Sequence, residues 1–177
     1  FLSQGWEVVF ASPAQESAHK YPLEELGVHS CSIELNSESF DIYVKELAPT
    51  MVLFDRFMME EQFGWRVAQN CPDALRVLDT EDLHCLRKAR ENAVKEGRKF
   101  ENSDLNSSLA IREIASMYRC DLSLLISSYE MALLENYFKV PQNILAYVPF
   151  MMDEISANTL EHTPTFAERN HFVTIGS

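Results

Sequence analysis

The sequence predicts a doubly wound α/β domain built on a parallel sheet. At Met51-Val-Leu-Phe-Asp55 and again at Leu75-Arg-Val-Leu-Asp79, an apolar run rich in strand formers ends in an acid, and an amphipathic helical pattern starts just after it. Strands and helices alternate along the chain, and parallel neighbours need right-handed crossovers that carry helices. In such sheets ligands bind outside the carboxyl ends of the strands. That places Asp55, Arg56, Asp79, Glu81, Asp82 and His84 where chemistry is usually done.

Each element has its own signal. Phe1 to Gly5 reads as a last helical turn stopped by glycine, and Trp6-Glu-Val-Val-Phe10 as the strand it feeds. A short helix at Leu23 to Leu26 is closed by Gly27, and a brief strand is expected near Ser32 to Leu35. Asn36 or Ser37 opens a helix carrying Phe40, Tyr43, Val44 and Leu47 on one face, which Pro49 prevents from continuing. A helix from about Met58 to Asn70 follows the strand that starts at Met51, and another, with Leu83, Leu86, Ala89 and Ala93 at helical spacing, follows the strand at Leu75.

The polar exit from Gly97 to Ser108 is expected to be flexible, and a helix carrying Ile111, Ile114, Ala115 and Tyr118 leads to the strand Asp121 to Ile126. Ser127-Ser-Tyr-Glu130 has capping-box spacing, with Met131, Leu134 and Tyr137 or Phe138 as the buried stripe behind it. The last strand of the sheet spans Ile144 to Val148. The expected organisation is one domain over 1–150, truncated at its start, a linker over 151–170, and over 171–177 the first strand of a further domain. Both ends read as cut: a strand is expected before Phe1 and a domain after Ser177.

Composition excludes some functions. The chain of 177 residues is 46% hydrophobic, enough for one sizeable core, and its formal charge of −12 argues against nucleic acid or an anionic membrane as partner. The 4 cysteines are scattered without metal-ligand spacing and read as small buried residues of a reducing compartment. No run is long enough to span a membrane and no signal peptide opens the chain, so the expected location is the cytoplasm. His19, His29, His162 and His171 stand apart from other ligating residues and read as surface or satisfied histidines.

Taken together and in order, several stretches resemble the N-terminal, Rossmann-like half of a GT-B glycosyltransferase of the family-4-like group. They are Gly5-Trp6 through Ser12, Phe54-Asp55-Arg56 through Arg66, Leu78-Asp79-Thr80-Glu81-Asp82-Leu83-His84 through Arg90, Ser127-Ser128-Tyr129-Glu130, Val148-Pro149-Phe150 through Asp153, and Phe172 to Gly176. The resemblance implies that the whole protein moves a hexose from a nucleotide-sugar donor to a hydroxyl acceptor. This half would hold the acceptor, and the donor would sit mainly on the missing C-terminal domain, with its pair of glutamates. The fragment alone would then be inactive. No metal and no cofactor beyond the donor substrate are implied.

Within that frame Asp82 and His84 are the candidate catalytic residues, able to take a proton from an acceptor hydroxyl or to balance charge at an oxocarbenium-like centre. Asp55, Arg56, Glu81, Ser127, Ser128 and Glu130 are the candidate substrate-binding residues. Blander readings stand beside these. Asp79 or Thr80 could cap the following helix with Glu81 and Asp82 in its first turn, Arg56 could pair with Glu60 one turn on, and at least one of Glu60 and Glu61 could be simply solvated. Met58, Met59, Phe63 and Trp65 could line an apolar pocket or belong to the core. The alternative function is a non-catalytic flavodoxin- or receiver-like domain that binds a small ligand or a protein. The acid pair or phosphate loop those folds place after the first strand is not visible.

Overall fold

The computed structural model describes residues 1–15, 20–152 and 154–172. The chain is an α/β protein of Rossmann-like type. Strands β1 (Val9–Ser12) and β2 (His29–Ser32) form a two-stranded parallel sheet, and β3 (Met51–Asp55), β4 (Leu75–Asp79), β5 (Leu122–Leu125) and β6 (Leu145–Tyr147) form a four-stranded parallel sheet in chain order. Helices α1 (Ser39–Leu47), α2 (Arg56–Asn70), α3 (His84–Lys95), α4 (Ser108–Arg119) and α5 (Ser128–Asn136) supply the crossovers. Every pair in the larger sheet is parallel, with Asp55 beside Asp79 and Asp79 beside Leu124.

The core lies between that sheet and its helices. Leu78, Leu83, Leu86, Leu105, Met117, Leu125 and Leu134 are fully buried, each worth roughly 1.5–3 kcal/mol of transfer free energy. In α3 the buried residues Cys85, Leu86, Ala89 and Ala93 recur at helical spacing, as the sequence suggests. Ala48 in the left-handed region (φ 44°) ends α1 just before Pro49.

The structure moves several boundaries. The first strand lies later and the second earlier than the sequence expectation, at Val9–Ser12 and His29–Ser32, because the pairing of Val9 with His29 and of Ser12 with Ser32 fixes both at once. The 3-10 turn Leu23–Leu26 and its left-handed Gly27 (φ 84°) stand where expected. The stretch from Gly97 to Ser108 is tied down: the Arg98 fork donates to both carboxylate oxygens of Asp104 at 2.7 and 2.8 Å, and a 3-10 turn at Asn102–Leu105 buries Leu105. Helix α4 is rotated from its most apolar face. Ile111 is 72% exposed, while Ala110, Glu113, Ser116 and Met117 face inward.

After β6 come a short helix, α6 (Ala157–Glu161), and a 3-10 turn at Phe166–Glu168 with a reciprocal Thr165–Glu168 cap. The strand expected over 171–177 falls largely on residues 173–177, outside the described residues. Among the described residues no helix is long and apolar enough to cross a membrane.

Candidate active site at the carboxyl edge of the sheet

Because β3 and β4 run in parallel and in register, their terminal acids Asp55 and Asp79 arrive side by side at the carboxyl edge. Arg56, the first residue of α2, holds a left-handed backbone (φ 66°) and folds its guanidinium onto Asp55, with Nε donating at 3.2 Å and Nη2 at 2.8 Å. The same Nε lies 3.7 Å from Oε2 of Glu81, itself left-handed (φ 55°). A non-glycine residue in this region carries roughly 1–2 kcal/mol of steric cost, so two such residues facing each other mark a place where geometry has overridden local preference. The Asp55 carboxylate, against the opposing effect of burial and with help from Glu81 and Asp82, pushes the Arg56 pKa up. Arg56 therefore pairs with Asp55 and Glu81, whereas Glu60 pairs with Arg119.

The next turn is built differently. Asp79 accepts from the Glu81 N–H at 3.3 Å, and buried Thr80 donates through Oγ1 to the Leu124 carbonyl at 2.8 Å, tying β4 to β5. The helix proper begins later than expected, with Leu83 at the N-cap position, so Glu81 and Asp82 precede its first turn. Its free N–H groups are met by two carboxylates from elsewhere. Glu113 of α4 accepts from His84 N at 2.8 Å and from Cys85 N at 2.9 Å, and Glu130 of α5 accepts from Leu83 N at 3.1 Å. Both carboxylates are buried.

With that capping supplied from a distance, Asp82 is left on the rim. It accepts from Arg87 Nη1 at 3.0 Å, and its Oδ1 lies 3.7 Å from Nε2 of His84. That separation is too long for a direct hydrogen bond, so both groups keep capacity for a third. The His84 side chain is 12% exposed and meets Phe57 edge-on, with ring centroids 5.5 Å apart.

The expected residues thus divide. Asp55, Arg56, Glu81, Asp82 and His84 are brought together along two adjacent strand ends. Ser127 caps α5, accepting from Glu130 N at 3.4 Å, and Ser128 is exposed at the head of the same helix. Glu130, the expected partner of Ser127 in a capping box, is buried and accepts from Leu83 N instead of closing that box. Among the described residues its Oε2 has no hydrogen-bond partner, and desolvation, reinforced by Asp82 and Glu113, pushes its pKa up despite the Leu83 hydrogen bond and Arg90. Glu60 and Glu61 are both engaged: buried Glu60 accepts from Arg119 Nε at 2.9 Å, and Glu61 from Arg112 Nε at 2.9 Å. Phe63 is core, Met59 packs against it, and Trp65 is exposed.

Sequence reasoning missed Glu113. Its signal was present, since it lies on one helical face with Ala110 and Met117, where an unpaired acid is costly. Two clefts occur away from these acids, one of about 320 Å³ that reaches Tyr129 and Tyr137, the other of about 340 Å³ beside Trp65 and Tyr118. Among the described residues no three potential metal ligands cluster. No known family model matches the chain, and no curated protein matches it significantly.

Proposed function

We propose that this chain is the acceptor-side domain of a GT-B glycosyltransferase that passes a hexose from a nucleotide-sugar to a hydroxyl acceptor. The observation that carries the reading is the convergence of Asp55, Arg56, Glu81, Asp82 and His84 at the carboxyl edge of a parallel sheet, two of them with left-handed backbones. Ligands of open parallel sheets bind at that edge. The sequence resemblance supplies the reaction class.

In this reading Asp82 and His84 share one acceptor hydroxyl and Arg87 holds the Asp82 carboxylate in place; the hydroxyl oxygen forms the new glycosidic bond as its proton passes to the Asp82–His84 pair, while the donor's bond from anomeric carbon to phosphate oxygen breaks and the nucleotide leaves with that electron pair. Arg56 and Glu81 orient the neighbouring hydroxyls. The test is hexose transfer by the full-length gene product over a panel of nucleotide-sugars and simple hydroxyl acceptors. Asp82→Asn and His84→Ala should each lower turnover at least ~100-fold with donor affinity and circular dichroism unchanged. Wild-type turnover in both variants would overturn these roles. The cleft beside Trp65 and Tyr118, toward the amino end of β4, favours the second reading, a non-catalytic ligand-binding domain. Absence of transfer with every donor, together with saturable ligand binding, would favour it decisively.

A further inference from the structure

The cleft that reaches Tyr129 and Tyr137 runs along α5, and none of Asp55, Arg56, Glu81, Asp82 and His84 lines it. It encloses about 320 Å³, within the range of small-ligand sites. Tyr129, Ala132, Leu133 and Asn136 recur at the spacing of one helical face, Tyr137 follows at the helix end, and Asn102 comes from the 3-10 turn Asn102–Leu105. That turn is held still. The Arg98 fork grips the Asp104 carboxylate, which also accepts from Glu101 N at 2.9 Å, and Leu105 is buried behind it.

Both tyrosine rings are fixed by neighbours outside the cleft. The Arg90 guanidinium lies 5.0 Å from the Tyr129 ring centroid and 5.7 Å from that of Phe100. The Tyr137 hydroxyl donates to Asn106 Oδ1 at 3.2 Å, and Phe138 meets the Tyr137 ring edge-on at 5.1 Å. Tyr129 nevertheless stays 50% exposed, and a ring held in place while still exposed offers stacking area at little entropic cost. Eight positions separate the two tyrosines, about 12 Å along a helix, which exceeds one sugar or base ring and approaches the length of two linked sugar rings.

The polar groups in the cleft are neutral amides. On a chain with 15 basic and 27 acidic side chains, no charged residue lines this cleft among the described residues, and an ion entering it would shed water without meeting a counter-charge. The amides have capacity to spare. Asn136 Nδ2 donates to the Ala132 carbonyl at 2.8 Å, which leaves its second N–H and its carbonyl oxygen, and the Asn102 side chain makes no hydrogen bond among the described residues. A donor and an acceptor on each amide match hydroxyl groups, which both give and take hydrogen bonds. Tyrosine rings with Ala132 and Leu133 between them match an apolar C–H face.

We propose that this cleft binds a neutral sugar two rings long, with Tyr129 and Tyr137 against the ring faces and Asn102 and Asn136 on the hydroxyls. No bond is made or broken here, and binding is read without a nucleotide-sugar, so the outcome is independent of whether the carboxyl edge transfers sugar. The test titrates the nitrogen-15-labelled chain with maltose, cellobiose, lactose and trehalose, with methyl glucoside, glycerol and adenosine as comparisons. The side-chain amide signals of Asn102 and Asn136, assigned from the Asn102→Ala and Asn136→Ala variants, report on the cleft directly.

At least one disaccharide is expected to shift both amide signals saturably with Kd below about 10 mM, and methyl glucoside to bind at least ~5-fold more weakly. Tyr129→Leu and Asn136→Ala should each weaken binding at least ~5-fold with unchanged circular dichroism, and both positions are exposed enough for the fold to tolerate the change. The proposal fails if no disaccharide saturates by about 50 mM, or if glycerol shifts the same signals equally at equal concentration. It also fails if adenosine outbinds every sugar, which would make the cleft a base site, or if the folded Asn102→Ala, Asn136→Ala double variant binds as the wild type does.

Discussion

The amino ends of α2 and α3 stand on neighbouring strand ends, yet their N–H groups are treated in opposite ways. At α3 two buried carboxylates, Glu113 and Glu130, meet the N–H groups of Leu83, His84 and Cys85. At α2 the N-cap Asp55 makes no side-chain cap and turns to Arg56, whose backbone is left-handed. The lesson is that an acid next to a helix start need not cap it. Where remote carboxylates do the capping, local acids such as Asp82 stay at the surface.

The strongest way to break this contrast is Glu113→Ala, which strands the buried Cys85 N–H and the partly buried His84 N–H at once. It should cost roughly 3 kcal/mol in urea unfolding, with Glu113→Gln recovering part of the loss. A cost below about 1 kcal/mol would show that the α3 cap is dispensable.

Glu130→Gln tests the other half of the cap by pH. The fold raises the Glu130 pKa above its ordinary 4.5, so the folded state favours the protonated carboxyl. The resulting penalty is absent below the unfolded-state pKa, grows as pH rises through the folded-state value, and is complete above it. Asp82, Glu113 and Arg90 act on the same carboxyl, the first two raising and the last lowering its pKa. The glutamine variant keeps an oxygen for Leu83 N–H and should gain stability over wild type as pH rises from about 4 to 8, by about 1.4 kcal/mol per unit of pKa shift. A gap independent of pH would contradict the assignment.

Arg56→Gly probes the α2 end. Relief of the left-handed backbone, offset by loss of an exposed ion pair, should give a net gain of about 0.5–1 kcal/mol by denaturant titration. A loss instead would make the Asp55–Arg56–Glu81 contacts structural. Arg87→Ala should change stability by less than about 0.5 kcal/mol, because its pair with Asp82 is exposed. Under the proposed function it should still lower turnover by freeing the Asp82 carboxylate, which separates positioning from stability.

Much of the fold was legible because its signals are local. The runs ending in Asp55 and Asp79, the spacing of Leu86, Ala89 and Ala93, and the glycine after Leu26 each act within a turn or a strand. The first two strands were misplaced because their apolar residues are few and their ends depend on each other. The inward face of α4 was misread because Ile111 is apolar yet exposed, whereas Glu113 is charged yet buried by the hydrogen bonds it accepts.

The sequence by itself determined that strands and helices alternate and that acids, an arginine and a histidine end up along one edge, since periodicity and strand direction suffice to place them. Only the tertiary structure decided which groups satisfy α3, since Glu113 reaches His84 across 29 residues of chain and Glu130 reaches Leu83 across 47. Partners so remote are selected by sheet register and helix packing, and a buried N–H accepts whichever oxygen those forces deliver.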